Sequence, residues 1–326
     1  MIIPINNNGK VIYQQSDELI TFFKEAVQKP FNDHPRTEQW ERLVIEPYRS
    51  KNFVEIKAIV GEGQQNGKNY VLSGQANFDQ PYKGLTQDER VLVYCYNNMK
   101  QHTVSQLYIF EKHSEVFEPY FFESNKQVLF LDFGCGPLTS GISVARYFSE
   151  HSQGRNQKLK FRYIGIDKAE SMLRKAKEFS QFPKLFHEES KFWFFQPNSV
   201  SSSFAERPSS YITNFADDTS LVVLNFSYFF ASPSLDTTFI TQLVEFLKES
   251  VFTKFLSSDI CLIFQNPQHS GLNTNWHEFC QQVTQFKSIT NGPIETNFYY
   301  HDILSGVQNR ETKLYYDIRF LDMGEN

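Results

Sequence analysis

The chain has 326 residues, a formal net charge of −5 and a pI near 5.9, with no block of Lys or Arg, so only local patches are left to contact nucleic acid. No window approaches the roughly 18 apolar residues of a membrane span, and the N-terminus lacks the basic flank and apolar length of a signal peptide, which together set the expectation of a soluble, cytoplasmic protein. Cys95, Cys135, Cys261 and Cys280 are scattered without C-x-x-C pairing, so neither a metal site nor a disulfide framework is expected.

In chain order, residues 16–28 carry helical spacing through Leu19, Phe22, Phe23 and Val27, with Ser16 as the N-cap. A second helix is expected over 37–46. Residues 53–60 alternate, and 70–74 follow a polar turn at 61–68, which reads as a β-hairpin. Residues 75–85 read as loop. Thr86-Gln87-Asp88-Glu89 is a capping box opening a long helix to about His113, with a break expected near 101–103. Pro119 ends any helix there. Residues 1–120 are thus read as a helical and hairpin region, and 121–326 as a second, α/β region.

The most informative stretch is 128–141, Val-Leu-Phe-Leu-Asp-Phe-Gly-Cys-Gly-Pro-Leu-Thr-Ser-Gly. An apolar run ends in Asp132 and opens into Gly134-Cys135-Gly136, and helical spacing follows. Strand, acid, Gly-x-Gly turn and helix in that order begin a nucleotide-binding unit, whose glycines let backbone approach a ligand. A dinucleotide fingerprint needs a third glycine where this chain has Thr139, which disfavours a nicotinamide-dependent oxidoreductase. Asp132 just before the loop also suits a ligand with a positive amino group better than a pyrophosphate. Residues 161–179 repeat the pattern: strand, terminal acid Asp167, then helix. The gap from Gly134 to Asp167 exceeds the roughly twenty residues usual in nucleotide folds. Its excess falls in the polar stretch 151–160, an inserted loop.

Further strands are expected at 191–195, 221–226, 260–264, 296–300 and 313–320, with helices at 237–250 and 276–286 and a Ser/Pro/Asn-rich loop at 196–210.

The Gly-loop unit resembles motif I of the class I S-adenosylmethionine-dependent methyltransferases, and Gly-Ile-Asp…Ser-Met-Leu at 165–173 is similar to their second motif. The resemblance spans roughly 121–322 and is motif-specific over 128–178. It implies a seven-stranded, mostly parallel, doubly wound α/β sheet with a reversed terminal strand. Residues 1–120 either form a lid over the cofactor or only pack on the sheet. The implied cofactor is S-adenosyl-L-methionine. Gly134, Cys135 and Gly136 would approach it, with Cys135 as a small filler; Asp132 would hold its amino-acid end and Asp167 its ribose, with Lys168 and Met172 beside them. The adenine pocket draws on Gln196 or Asn198, with Ser199 or Asp217 as alternatives; Asp217-Asp218 otherwise caps a turn.

At the end of the fourth strand, Asn225-Phe226-Ser227-Tyr228 departs from the Asn/Asp-Pro-Pro-Tyr signature of exocyclic-amine methyltransferases. Asn225 and Tyr228 are the candidate catalytic residues, orienting an acceptor beside the cofactor; the alternative is that Tyr228 merely packs. His269 is either a base or a surface residue. The expected activity is in-line methyl transfer to an unidentified acceptor, a small molecule or a protein in preference to nucleic acid. The alternative is a catalytically inactive scaffold of the same fold.

Overall fold

The computed structural model describes residues 3–7, 10–42, 76–82, 84–123, 127–151, 160–183, 185–197, 211–232, 235–268, 270–302 and 306–322. The hairpin expected at 53–74, Asn198, Ser199 and His269 lie outside them.

The strands are β1 (Ile3–Asn7), β2 (Lys10–Gln14), β3 (Gln127–Phe133), β4 (Phe161–Ile166), β5 (Lys191–Phe195), β6 (Thr219–Ser227), β7 (Asp259–Pro267), β8 (Phe286–Ser288), β9 (Ile294–Asp302) and β10 (Val307–Leu321). They form one ten-stranded sheet in the order β1-β2-β9-β10-β7-β6-β3-β4-β5, with β8 paired to β10. Pairings from β5 to β7 are parallel, and β10 runs antiparallel to both β7 and β9. The seven-stranded sheet with a reversed strand is therefore present, extended by β8 and by β1–β2. Strands β1 and β2 are only five residues each and were not expected from the sequence. Together they join the sheet through parallel pairing of Ile12 and Tyr13 with Tyr299 and Tyr300 on β9.

Strand β3 is apolar without alternation because both its faces are covered: Leu129 and Leu131 face one buried cluster, Val128 and Phe130 the other. The principal helices are α1 (Asp17–Phe22), α2 (Gln87–Tyr94), α3 (Lys100–Lys112), α4 (Thr139–His151), α5 (Glu170–Ser180), α6 (Thr237–Leu247) and α7 (Thr274–Gln282). Ser16 Oγ caps α1 by accepting from Leu19 N. The capping box before α2 forms in full: Glu89 N donates to Thr86 Oγ1 at 3.3 Å, and Thr86 N donates to the Glu89 carboxylate at 2.7 Å. The break expected near 101–103 is instead a wide helical turn at Cys95–Met99, which joins α2 to α3 without interrupting the helix. At 37–46 a short helical segment, Thr37–Trp40, is seen. The helix expected to reach 286 ends at Gln282, and Phe286 belongs to β8.

The N-terminal helices join the core of the sheet. Phe22, Phe23, Val91, Val104, Leu107 and Phe110 belong to the same buried cluster as Val128, Phe130 and Tyr163. One buried ion pair fixes α3 to the far hairpin: Lys100 Nζ contacts Asp302 Oδ1 at 2.7 Å, and Arg310 Nη1 contacts Asp302 Oδ2 at 2.7 Å. Lys100 is 2% exposed and Asp302 fully buried. Removing one partner from such a pair strands the other charge in a low-dielectric interior. Asp302→Ala is therefore expected to cost about 3–5 kcal/mol in urea denaturation; a loss below about 1 kcal/mol, the scale of an exposed pair, would refute this role.

Candidate functional site

The strand order reverses between β3 and β6, and ligands of open α/β sheets bind outside the carboxyl ends of the strands at such a point. A cavity lies there. It is lined by Gly134, Cys135 and Gly136 after β3, Asp167, Lys168, Ala169 and Met172 after β4, Ser227, Tyr228 and Phe229 after β6, and Gln265 on β7. The N-terminal region supplies Ala76, Phe78, Tyr94 and His102 to the same lining.

The Gly loop is held by backbone: Gly134 N and Cys135 N both donate to Ile166 O, at 2.7 and 3.1 Å. Gly134 and Gly136 have φ of +71° and +52°, the left-handed region that favours glycine. A Cβ on Gly134 would meet Phe229 at 3.2 Å, whereas one on Gly136 would meet nothing within 4 Å. Position 136 is thus open backbone beside a cavity. Asp167 ties this loop to the next strand, accepting from Gly136 N at 2.9 Å and from Ala169 N at 2.8 Å. Burial raises its pKa against those two donors. Each carboxylate oxygen keeps a lone pair for a further donor.

Asp132 and Asn225 occupy a different place from the one expected of them. Neither lines the cavity; they are 1% and 0% exposed. The Asp132 carboxylate accepts from the Tyr163 hydroxyl and, at 2.6 Å, from Asn225 Nδ2. Asn225 Nδ2 also reaches Ser140 Oγ at 3.0 Å, and Asn225 Oδ1 lies 2.9 Å from Ser227 Oγ. Asn225 is therefore committed to bridging β3 and β6 from behind the cavity wall, because its side chain points into the sheet core. Desolvation pushes the Asp132 pKa up to about 7 against these hydrogen bonds.

Tyr228 does line the cavity, in the left-handed region with φ of +60°, a strained setting for a bulky side chain. Its ring stacks on His102, centroids 3.8 Å apart. His102 Nδ1 is hydrogen-bonded to the Tyr94 hydroxyl at 2.9 Å. Burial, aided by the charge of Arg310, lowers the His102 pKa to about 3, so the imidazole is neutral at physiological pH. Burial, then the charges of Asp167 and Asp132, hold Cys135 as a thiol, which fits a small filler and not a nucleophile. Asp218 lies in the short turn Ala216–Asp218 and pairs with Arg162 on β4 at 2.9 Å. Gln196 Nε2 donates to Lys168 O at 2.8 Å.

Sequence reasoning missed Phe78, Tyr94, His102 and Gln265. Residue 94 belongs to the apolar helical spacing and reads there as packing, whereas residue 102 falls where a break in the helix was expected. Phe78 lies in a segment read only as loop, which is pinned where it is because Ser171 Oγ donates to Phe78 O at 2.9 Å and Glu170 N to Asp79 Oδ1 at 3.0 Å. No grouping of three or more His, Cys, Asp or Glu that would hold a metal ion occurs among the described residues, and no described helix is long and apolar enough to cross a membrane.

No family model matches the chain, and no curated protein does. Among solved structures it is similar to an S-adenosylmethionine-dependent methyltransferase from Methanosarcina mazei (13% identity, 63% of this chain and 96% of that one, TM-score 0.36). It is also similar to one from Agrobacterium tumefaciens (7%, 65% and 62%, TM-score 0.38). A third is magnesium protoporphyrin IX methyltransferase from Synechocystis with its cofactor bound (12%, 84% and 94%, TM-score 0.35). The chain itself has a doubly wound, mostly parallel α/β sheet with a reversed strand, and its Gly loop lies at the switch point.

Two outcomes follow from this geometry. Gly134→Ala and Gly136→Ala each carry a left-handed penalty of about 1–2 kcal/mol, and Gly134→Ala adds crowding on Phe229, so chemical denaturation should rank it the more damaging; the reverse ranking would contradict the loop geometry. Because the folded-state pKa of Asp132 lies above its unfolded value of 3.8, the native state binds the extra proton between pH 4 and 7. The stability contributed by Asp132 is therefore lost as pH rises through that window. Unfolding free energies at pH 5 and pH 7 should differ less in Asp132→Asn than in the wild type, and an unchanged difference would show that Asp132 does not titrate there.

Proposed function

We propose that the chain is a methyltransferase that binds S-adenosyl-L-methionine at the β3–β4 end of the cavity and methylates an acceptor held at the β6–β7 end. The observation that carries this reading is the open left-handed loop Gly134–Gly136 facing Asp167 across a cavity at the switch point. Position 136 gives a ligand room against bare backbone, and Asp167 offers acceptor lone pairs to the two hydroxyls of a ribose. Lys168, Ala169 and Met172 flank the space a nucleoside would fill. Asp132, buried behind the wall, positions Asn225 and Tyr163 and adds negative potential toward a cationic ligand.

When bound, the cofactor supplies a sulfonium methyl group. The protein's part is then to aim the acceptor's lone pair along the sulfur–methyl axis and to keep water out. Phe78 and Tyr94 from one side and Tyr228 and Phe229 from the other make such a dry chamber. His102 is uncharged at neutral pH, with a proton on one ring nitrogen only, and its low pKa makes it a poor base. It serves as a neutral wall and hydrogen-bonding group, and the proton carried by the methylated acceptor is lost to solvent once the product leaves the chamber. The acceptor is a small molecule or a protein side chain.

Calorimetric titration with S-adenosylmethionine and S-adenosylhomocysteine tests the reading. Both should bind, and Asp167→Ala should weaken them about tenfold or more by removing a charge-assisted contact. Unchanged affinity in a folded Asp167→Ala protein would displace the ribose site. Absence of binding to the wild type would favour a non-catalytic scaffold.

A further inference from the structure

The acceptor end of the cavity has its own chemistry, and the argument from it rests on the methyl-transfer reading above. Among the described lining residues the charged ones, Asp167 and Lys168, both belong to the nucleoside end. Toward β6 and β7 the wall carries the rings of Tyr94, His102 and Tyr228, with Phe78 and Phe229 reaching back toward the nucleoside end. No described lining residue there is a cation that would neutralise a phosphate or carboxylate, and burying such an anion unpaired is costly. Flat neutral walls favour a flat neutral guest.

The cavity also has an incompletely paired amide. Gln265 lines it, is 1% exposed, and donates from Nε2 to Gln106 Oε1 at 2.7 Å and to Ser227 Oγ at 3.0 Å. Its Oε1 has no hydrogen-bond partner, and neither has Nε2 of the fully buried Gln106 behind it. Ser227 Oγ donates to Gln106 Oε1 at 2.6 Å, so the three side chains form one chain with a loose end at each amide. Turning both amides over exchanges donor for acceptor at those ends and leaves them just as unsatisfied. A buried amide group without a partner costs about 1–3 kcal/mol, which a ligand recovers by pairing with it. A hydroxyl, which both donates and accepts, matches Gln265 whichever way its amide is turned.

We infer that the methyl acceptor is an uncharged hydroxylated aromatic molecule, seated in the chamber of Tyr94, His102 and Tyr228 with a hydroxyl hydrogen-bonded to the Gln265 side chain. Gln106 and Ser227 are positioning residues for that amide. Such a site discriminates strongly against analogues lacking the hydroxyl, because they leave Gln265 buried and unpaired.

Fluorine NMR titration of the full chain, saturated with S-adenosylhomocysteine, tests this with three probes: 4-fluorophenol, fluorobenzene and 4-fluorobenzoate. The wild type should bind 4-fluorophenol saturably and about tenfold or more tighter than either comparator. In Gln265→Met, which keeps length and removes the amide, 4-fluorophenol should weaken about tenfold, while S-adenosylhomocysteine affinity stays within about twofold. The wild-type ranking stands whether or not the variant folds. Equal or tighter binding of 4-fluorobenzoate, no saturable binding of 4-fluorophenol, or unaltered binding of it to Gln265→Met would each overturn the inference. If S-adenosylhomocysteine itself fails to bind, the methyl-transfer reading has failed instead.

Discussion

The contact between Asp132 and Asn225 holds the site together. It joins the carboxyl ends of β3 and β6, the two strands between which the sheet changes direction. Gly134, Cys135 and Gly136 follow one of these ends, and Ser227, Tyr228 and Phe229 lie at or beyond the other. A buried carboxylate at this point is costly, and three neighbours limit the cost: Tyr163 and Asn225 donate to it directly, and Ser140 shares the Asn225 amide. The network continues through Ser227 to Gln106 and Gln265. The Gly-loop side of the cavity and the β6–β7 side are thus linked by hydrogen bonds under the cavity floor. Polar networks in low dielectric are rigid when satisfied and costly when broken.

Above that floor the cavity is roofed by segments that precede the sheet in the chain. The loop carrying Phe78 is held at three points: Ser171 and Glu170 at the start of α5, and Arg90 on α2, whose guanidinium donates to Gln80 O at 2.6 Å. His102 and Tyr94 come from the continuous helical rod of α2 and α3, which is anchored at the other side by Lys100 and Asp302. Sheet and roof are therefore two halves of one apolar interior, and the strain at Tyr228 sits where they meet through its stack on His102.

The sheet was legible in the sequence because its central strands are apolar on both faces and end in acids or Gly loops, a pattern that burial imposes directly. The strand–Asp–Gly-x-Gly–helix order located the Gly loop, and the second strand–acid–helix unit located Asp167; the structure brings both to one cavity. The roles of Asp132 and Asn225 were not legible, since sequence position names a strand end but not which way a side chain turns. Here the alternation of the sheet sends both inward. His102, Tyr94 and Gln265 were hidden for another reason: buried polar residues on a helix or central strand look like packing until their partners across the fold are known. Strands β1 and β2 were missed because edge strands need little apolar pattern.

The unbroken interior across residue 120 has an evolutionary consequence. In a protein whose recognition region is a separately folded module, substrate range can change by exchanging that module. Here Phe22, Val91, Leu107 and Phe110 pack in one cluster with Val128 and Phe130. Swapping or deleting the leading segments would uncover the sheet itself. A change in what the cavity holds is confined to residue-by-residue change on its wall, and each change must keep the shared interior filled.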